Sequence, residues 1–194
     1  MLVNEDSFVN IISMWFEFVL VRVSIWIACG LWFLGSVSRV VSNSQQIANL
    51  ESAYRWAWFW AGIFTWVHVF ASYGLVHGWS HAAVLKHTGD ESYAVIGLRV
   101  PWGVYANFIF AGMLSGYSGW MLLRKGRVKG LDSVIYFFLA FIVFNALVIF
   151  KTGLIRWIGL LGFAVVASLH LYFRGTKNVA TSSDESPALA DFLG

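Results

Sequence analysis

Long apolar runs alternate with short polar breaks along this chain. A helix crossing roughly 30 Å of hydrocarbon needs about 20 apolar residues. Stretches near 11–34, 54–78, 101–123, 132–150 and 154–173 meet that length. They are continuously apolar rather than alternating, which excludes a β-barrel. A bilayer offers no water to backbone groups, so each stretch is read as a helix. The expected fold is all-α: a polytopic bundle of five transmembrane helices over 1–174, with a polar tail over 175–194. Pro101 suits a first helical position, where its missing N–H has no partner to lose. Gly130 and Asp132 punctuate the turn before the fourth helix, and Lys151-Thr152-Gly153 makes a tight hairpin before the fifth. The polar stretch 79–100 reads as the longest outer loop, and 41–53 as an inner connection able to extend a helix.

Composition strengthens the membrane reading. Hydrophobic residues make up 59% of the chain and charged ones 12%, against about 25% charged in soluble domains. So few charges cannot cover the apolar surface of a soluble particle this small. The net charge of +3 is too small to point to nucleic acid. Cys29 stands alone, so it forms no internal disulfide and reads as a small buried hydrophobe. Glu5 and Asp6 replace the basic start of a secretory leader, so the first segment reads as a retained span.

Basic residues give the orientation. Starting outside, the inner segments hold Arg39, Arg55, Arg124, Lys125, Arg127, Lys129, Arg174 and Lys177. The outer ones hold Lys86, Arg99, Lys151 and Arg156. The asymmetry predicts an N-terminus outside and a cytoplasmic C-terminus.

Ionisable residues inside a membrane are costly and draw functional suspicion. Glu17 and Arg22 fall in the first helix, with Arg22 read near its middle. Asn10, Ser13, Glu17 and Ser24 share one stripe that should face protein. Histidines concentrate near the second helix and its outer end: His68, His77, His81 and His87. On a continued helix His77 and His81, four apart, would project from one face. Two imidazoles at that spacing can hold zinc or copper given a third ligand, with Glu17 or His87 as candidates. The expected topology also brings Asn107 and Asn145 to that half of the bilayer. A haem or chlorophyll is the other candidate, shared with a partner chain, because the depths of His68, His77, His81 and His170 do not match for two ligands on one iron.

Gly116-Tyr117-Ser118-Gly119 with the later His170 is similar, over those few residues, to the Ser…His arrangement of intramembrane rhomboid proteases. Ser118 closes a helix here instead of opening one, and the family's sixth core helix has no counterpart. A packing seam explains the same residues: Gly112 and Gly116 form G-x-x-x-G, overlapped by Ser115 and Gly119. The expectation is a non-catalytic accessory subunit of a larger membrane complex, of energy-conversion or secretion type. Its partners would be the bilayer and other membrane subunits. The alternatives are a metal- or haem/chlorophyll-bearing subunit centred on His77 and His81, and a small ion or proton transporter using Glu17, Arg22 and His68.

Overall fold

The computed structural model describes residues 15–45 and 47–184. Helices make up the described chain, and no strand occurs among the described residues. Helix α1 runs Trp15–Gln45 and α2 runs Ala48–Val76. Helix α3 spans His81–Ile96. A single 3-10 turn at Pro101–Gly103 leads into α4, Val104–Arg124. Helix α5 covers Lys129–Phe144 and is continued by a π-helical turn, Asn145–Ile149. Helix α6 runs Gly153–Asp184.

Four segments are long and apolar enough to cross a membrane: Trp15–Gln45, Ala48–Val76, Gly130–Ile149 and Gly153–Gly175. A fifth counts if α3 and the Pro101–Arg124 segment are taken together, and these two meet at 106°. The protein is therefore an all-α, multi-pass membrane bundle of four to five spanning helices. The proline falls where the sequence places it, at the start of the turn that opens α4.

Three boundaries differ from expectation. The 41–53 connection is almost all helix: α1 continues to Gln45, and α2 begins at Ala48. The expected outer loop 79–100 is mostly α3. The last helix continues to Asp184, well into the predicted tail. Asn10, Ser13 and the tail beyond 184 lie outside the described residues.

The α1–α2 turn brings two antiparallel helices together, and α2 in turn packs on α4 while α1 packs on α6. Small residues permit the closest approaches. A Cβ on Gly35 of α1 would stand 2.3 Å from the Trp58 ring, and one on Gly62 of α2 would stand 2.7 Å from the Ser115 backbone of α4. Larger side chains from α5 close the core over this sheet of helices. Tyr136, Leu139 and Val143 join Trp32, Trp58 and Leu114. The rings of Trp32, Tyr136 and Trp58 lie nearly parallel, with centroids 6.0–6.4 Å apart.

The two ends of the bundle differ in backbone. The end holding the α1–α2 turn is regular. The opposite end, which holds His77, His81 and His87, carries all three π-helical turns of the described chain: Val19–Val23, Ser72–Val76 and Asn145–Ile149. After Val76 the chain turns through Gly78 and Trp79, both at positive φ (53° and 61°). Ser80 then caps α3 by accepting the Ala83 N–H at 3.3 Å.

Candidate functional site

Two polar layers stand out, one at each end of the bundle. The first surrounds Asp132 at the start of α5, a carboxylate only 1% exposed. A buried carboxylate is stable only when paired and hydrogen-bonded, and four donors surround this one. Arg39 Nε of α1 donates to Oδ2 at 2.7 Å. Tyr54 of α2 and Tyr117 of α4 donate their hydroxyls to Oδ1 at 2.6 and 3.0 Å. Arg127 adds a longer contact to Oδ2 at 3.4 Å. Four elements thus meet on one side chain.

A second shell of contacts extends the layer. Arg127 pairs with Glu51 Oε2 at 3.0 Å and donates to Asn43. Ser42 donates to the same Glu51 oxygen at 3.1 Å. The Arg39 guanidinium lies 4.3 Å from the centroid of the Tyr136 ring, a favourable cation–π placement. Two arginines thus face two carboxylates, so this inner layer is electrically balanced. It is an interhelical clamp that ties α1, α2, α4 and α5 together.

The second layer is the histidine end. The continuous helix that would align His77 with His81 is broken: α2 ends at Val76 and α3 starts at His81. His81 instead sits between two tyrosines. Its Nδ1 is 2.5 Å from the Tyr73 hydroxyl and its Nε2 is 3.0 Å from the Tyr105 hydroxyl. A neutral imidazole carries one proton, so one hydroxyl accepts from the ring and the other donates to it. His77 faces His87 with ring centroids 5.1 Å apart. His87 Nε2 is 3.7 Å from Glu91 Oε1. Partial burial, with the neighbouring His87 charge second, holds the His77 pKa below its ordinary 6.5.

The remaining predicted residues do not join this group. His68 donates from Nδ1 to the Val21 carbonyl at 2.7 Å, which ties α2 to α1. Asn145 bonds back to the Phe141 carbonyl of its own helix at 2.7 Å. Asn107 is exposed on α4 and Glu17 is half-buried on α1. Among the described residues no three His, Cys, Asp or Glu side chains stand where they could hold a metal ion.

Arg22 lies on a helix longer than the span expected from the sequence. The 31 residues of Trp15–Gln45 extend about 46 Å at 1.5 Å each, well beyond a core of roughly 30 Å. Setting the Arg39–Asp132 layer at one hydrocarbon boundary puts the other boundary about 20 residues away, near Val19. Arg22 then lies within about one turn of a surface, where a long side chain reaches headgroups. It is exposed and rests 4.8 Å from the Phe18 ring centroid. The helix that carries Arg22 continues past 34, the end of the span expected from the sequence, to Gln45.

Comparison with protein-family models, with curated proteins and with solved structures finds no match to this chain.

The predicted glycine seam divides in two. Ser115 contacts Gly62 and accepts the Trp66 indole N–H at 3.2 Å. A Cβ on Gly119 would stand 3.8 Å from the Phe59 ring of α2. These two residues pack inside the chain. Gly112 and Gly116 are exposed, and a Cβ on Gly116 would meet nothing within 4 Å. Ser118 is fully buried, its hydroxyl bonded to the Leu114 carbonyl of its own helix. His170 is exposed on α6. No Ser–His pair forms between them.

The Asp132 layer was absent from the sequence-based candidates. Asp132 read as turn punctuation, and Arg39 and Arg127 as loop cations. One signal pointed to it: Glu51 and Asp132 are the two acids within 39–56 and 117–136, against six basic residues in the same segments. An acid retained at the head of an apolar run needs a partner.

Proposed function

We propose that this protein is a non-catalytic subunit of a larger membrane complex, and that α4 offers a docking face for another transmembrane helix. The observation that carries the reading is the outward Gly112-x-x-x-Gly116 pair. Small residues four apart let two helix backbones approach closely in lipid, where hydrophobicity does not drive association. Within the chain that role falls to Gly62 and Ser115, so Gly112 and Gly116 remain for a neighbour. The ionic layer at Asp132 supports the same reading, because its charges are spent on holding four elements together. The excess of basic residues at that end favours a cytoplasmic α1–α2 turn.

The test is extraction of the full chain from its native membrane in mild detergent, wild type beside Gly116→Ile. Wild type should travel in a particle well above its own 21.8 kDa and carry other polypeptides. Gly116→Ile should release it with its helicity intact. A wild-type chain that travels alone refutes the reading.

A second reading, a metal or haem shared with a partner chain at the histidine end, is favoured by the three π-helical turns gathered there, since such turns recur at functional sites. Stoichiometric metal or a haem absorption band in the purified complex supports it, and the absence of both in an intact complex refutes it.

A further inference from the structure

The end of the bundle that holds the Asp132 layer carries more positive charge than that layer consumes. Glu51 is taken by Arg127 and Asp132 by Arg39. Arg55, Arg124 and Lys125 are left without a carboxylate partner among the described residues. Arg55, on α2, is half-buried and held in place by carbonyls. Its Nε donates to Glu51 O at 3.2 Å and its NH1 to Met121 O of α4 at 3.4 Å. A guanidinium has five N–H donors in a fixed fork, so those two bonds leave donors free. Arg124 lies one turn beyond Met121 on α4 and rests 5.7 Å from the centroid of the Trp120 ring. Lys125, exposed at φ 54°, closes the helix beside it. The C-terminal end of α4 also carries the negative pole of the helix dipole, which favours cations at this corner.

The wall below these cations is aromatic and apolar. Phe59 of α2 lies one turn from Arg55 and touches Gly119, and Trp120 stacks on Tyr117 with centroids 6.0 Å apart. Trp56, half exposed, flanks the same corner of α2. Guanidinium groups above an aromatic groove at a membrane boundary match one partner in both charge and polarity: a phosphate attached to acyl chains.

We propose that Arg55 and Arg124 bind the headgroup phosphate of an anionic phospholipid at the α2–α4 groove, with Lys125 adding charge. Lipid-exposed chains of that molecule would lie along Phe59 and Trp120. Each basic residue near an anionic surface contributes enough binding energy that removing two predicts about a 30-fold loss in affinity. The headgroup contact is separate from the helix-docking pair, because Gly116 lies about two turns and Gly112 about three turns from Arg124 along α4.

The test uses the full chain in non-ionic detergent, with phosphatidylglycerol or phosphatidylcholine of identical acyl chains added, and native mass spectrometry to count bound lipid. Wild type should retain phosphatidylglycerol in clear preference to phosphatidylcholine. Arg55→Gln with Arg124→Gln should lower phosphatidylglycerol retention to the phosphatidylcholine level. Lys151→Gln with Arg156→Gln, at the other end, should leave it unchanged. Should the first pair fail to fold, Arg124→Gln alone, at an exposed position with no hydrogen bond to lose, should still reduce retention. Equal retention of the two lipids by wild type overturns the proposal, as does retention that survives loss of both arginines. Displacement of phosphatidylglycerol by an equal concentration of inorganic phosphate would show a site for the free anion and also overturn it.

Discussion

Replacing Asp132 with Asn should be among the most damaging conservative changes in the chain. The side chain keeps its shape but loses its charge, and Arg39 is then left 9% exposed at its side chain, with no other carboxylate within salt-bridge distance among the described residues. Removing one partner of a buried ion pair costs about 3–5 kcal/mol, chiefly because the remaining charge stays buried without compensation. The Tyr54 and Tyr117 hydroxyls retain an amide oxygen as acceptor, so their bonds weaken without being lost. Arg39→Gln should cost less, since Arg127 still approaches Asp132 at 3.4 Å. The informative species is the double variant. With both charges gone no ion is stranded, so its cost should fall short of the sum of the single costs by about 2 kcal/mol or more, within the range found for contacting residues. Unfolding in mixed mild and denaturing detergent, followed by helical circular dichroism, measures all four corners of the cycle. Additivity to within about 0.5 kcal/mol would refute the clamp, since it would mean that Arg39 and Asp132 do not depend on each other.

Other changes follow from the packing and from the histidines. Gly62→Leu should destabilise by about 1–3 kcal/mol or more through overpacking, because a Cβ there would stand 2.7 Å from the Ser115 backbone. Gly116→Ala should stay within about 0.5 kcal/mol, and equal costs for the two would contradict the assigned inner and outer faces. Trp58→Phe should cost under about 1.5 kcal/mol, against about 3–5 for Trp58→Ala, since it also removes a buried indole N–H that has no acceptor; the same unfolding assay checks it, and a Phe variant as unstable as the Ala variant would count against it. His77 should titrate below 6.5 in an imidazole NMR experiment. Its contribution to stability is then fully present above 6.5 and declines as pH falls through the folded-state value. His87→Gln should move that value only part of the way back, because burial is the larger cause; a His77 value at or above 6.5 in wild type would contradict the geometry.

The architecture was legible because one physical demand dominates it. Twenty apolar residues in a row leave the backbone no partner but itself, so the position of the spans follows from hydropathy and the start of α4 from Pro101. What hydropathy does not measure is how far a helix continues past the bilayer. Residues 35–45 are polar enough to read as the edge of a loop, yet Ser36, Ser38, Arg39 and Ser42 are buried. Ser36 returns its hydroxyl to the Trp32 carbonyl at 2.8 Å, and Arg39 and Ser42 bond to acids from other elements. Their polarity is satisfied within the protein, so the helix continues. The same reasoning accounts for α3, where Ser92 accepts the Val100 N–H at 2.7 Å and so closes the end of a helix the sequence presented as loop.

The candidate chemistry was harder to place because an ionisable residue signals cost and not the form of its compensation. Histidines four apart suggested a metal only on the premise of an unbroken helix, and two positive-φ residues between them remove that premise. Asp132 read only as turn punctuation because an acid two residues after a glycine resembles a turn, although its partners Arg39, Tyr54 and Tyr117 come from three other helices that no local pattern connects. The distinction matters for function. Among the described residues the deeply buried Asp132 is paired with Arg39, while Arg55 and Arg124, at the same end of the bundle, have no carboxylate partner there. Charges that fold the protein are balanced within it, and those that remain unbalanced mark where it meets other molecules. By that criterion the surface at the α1–α2 turn, together with the open face of α4, is where mutation should alter association while leaving the fold intact.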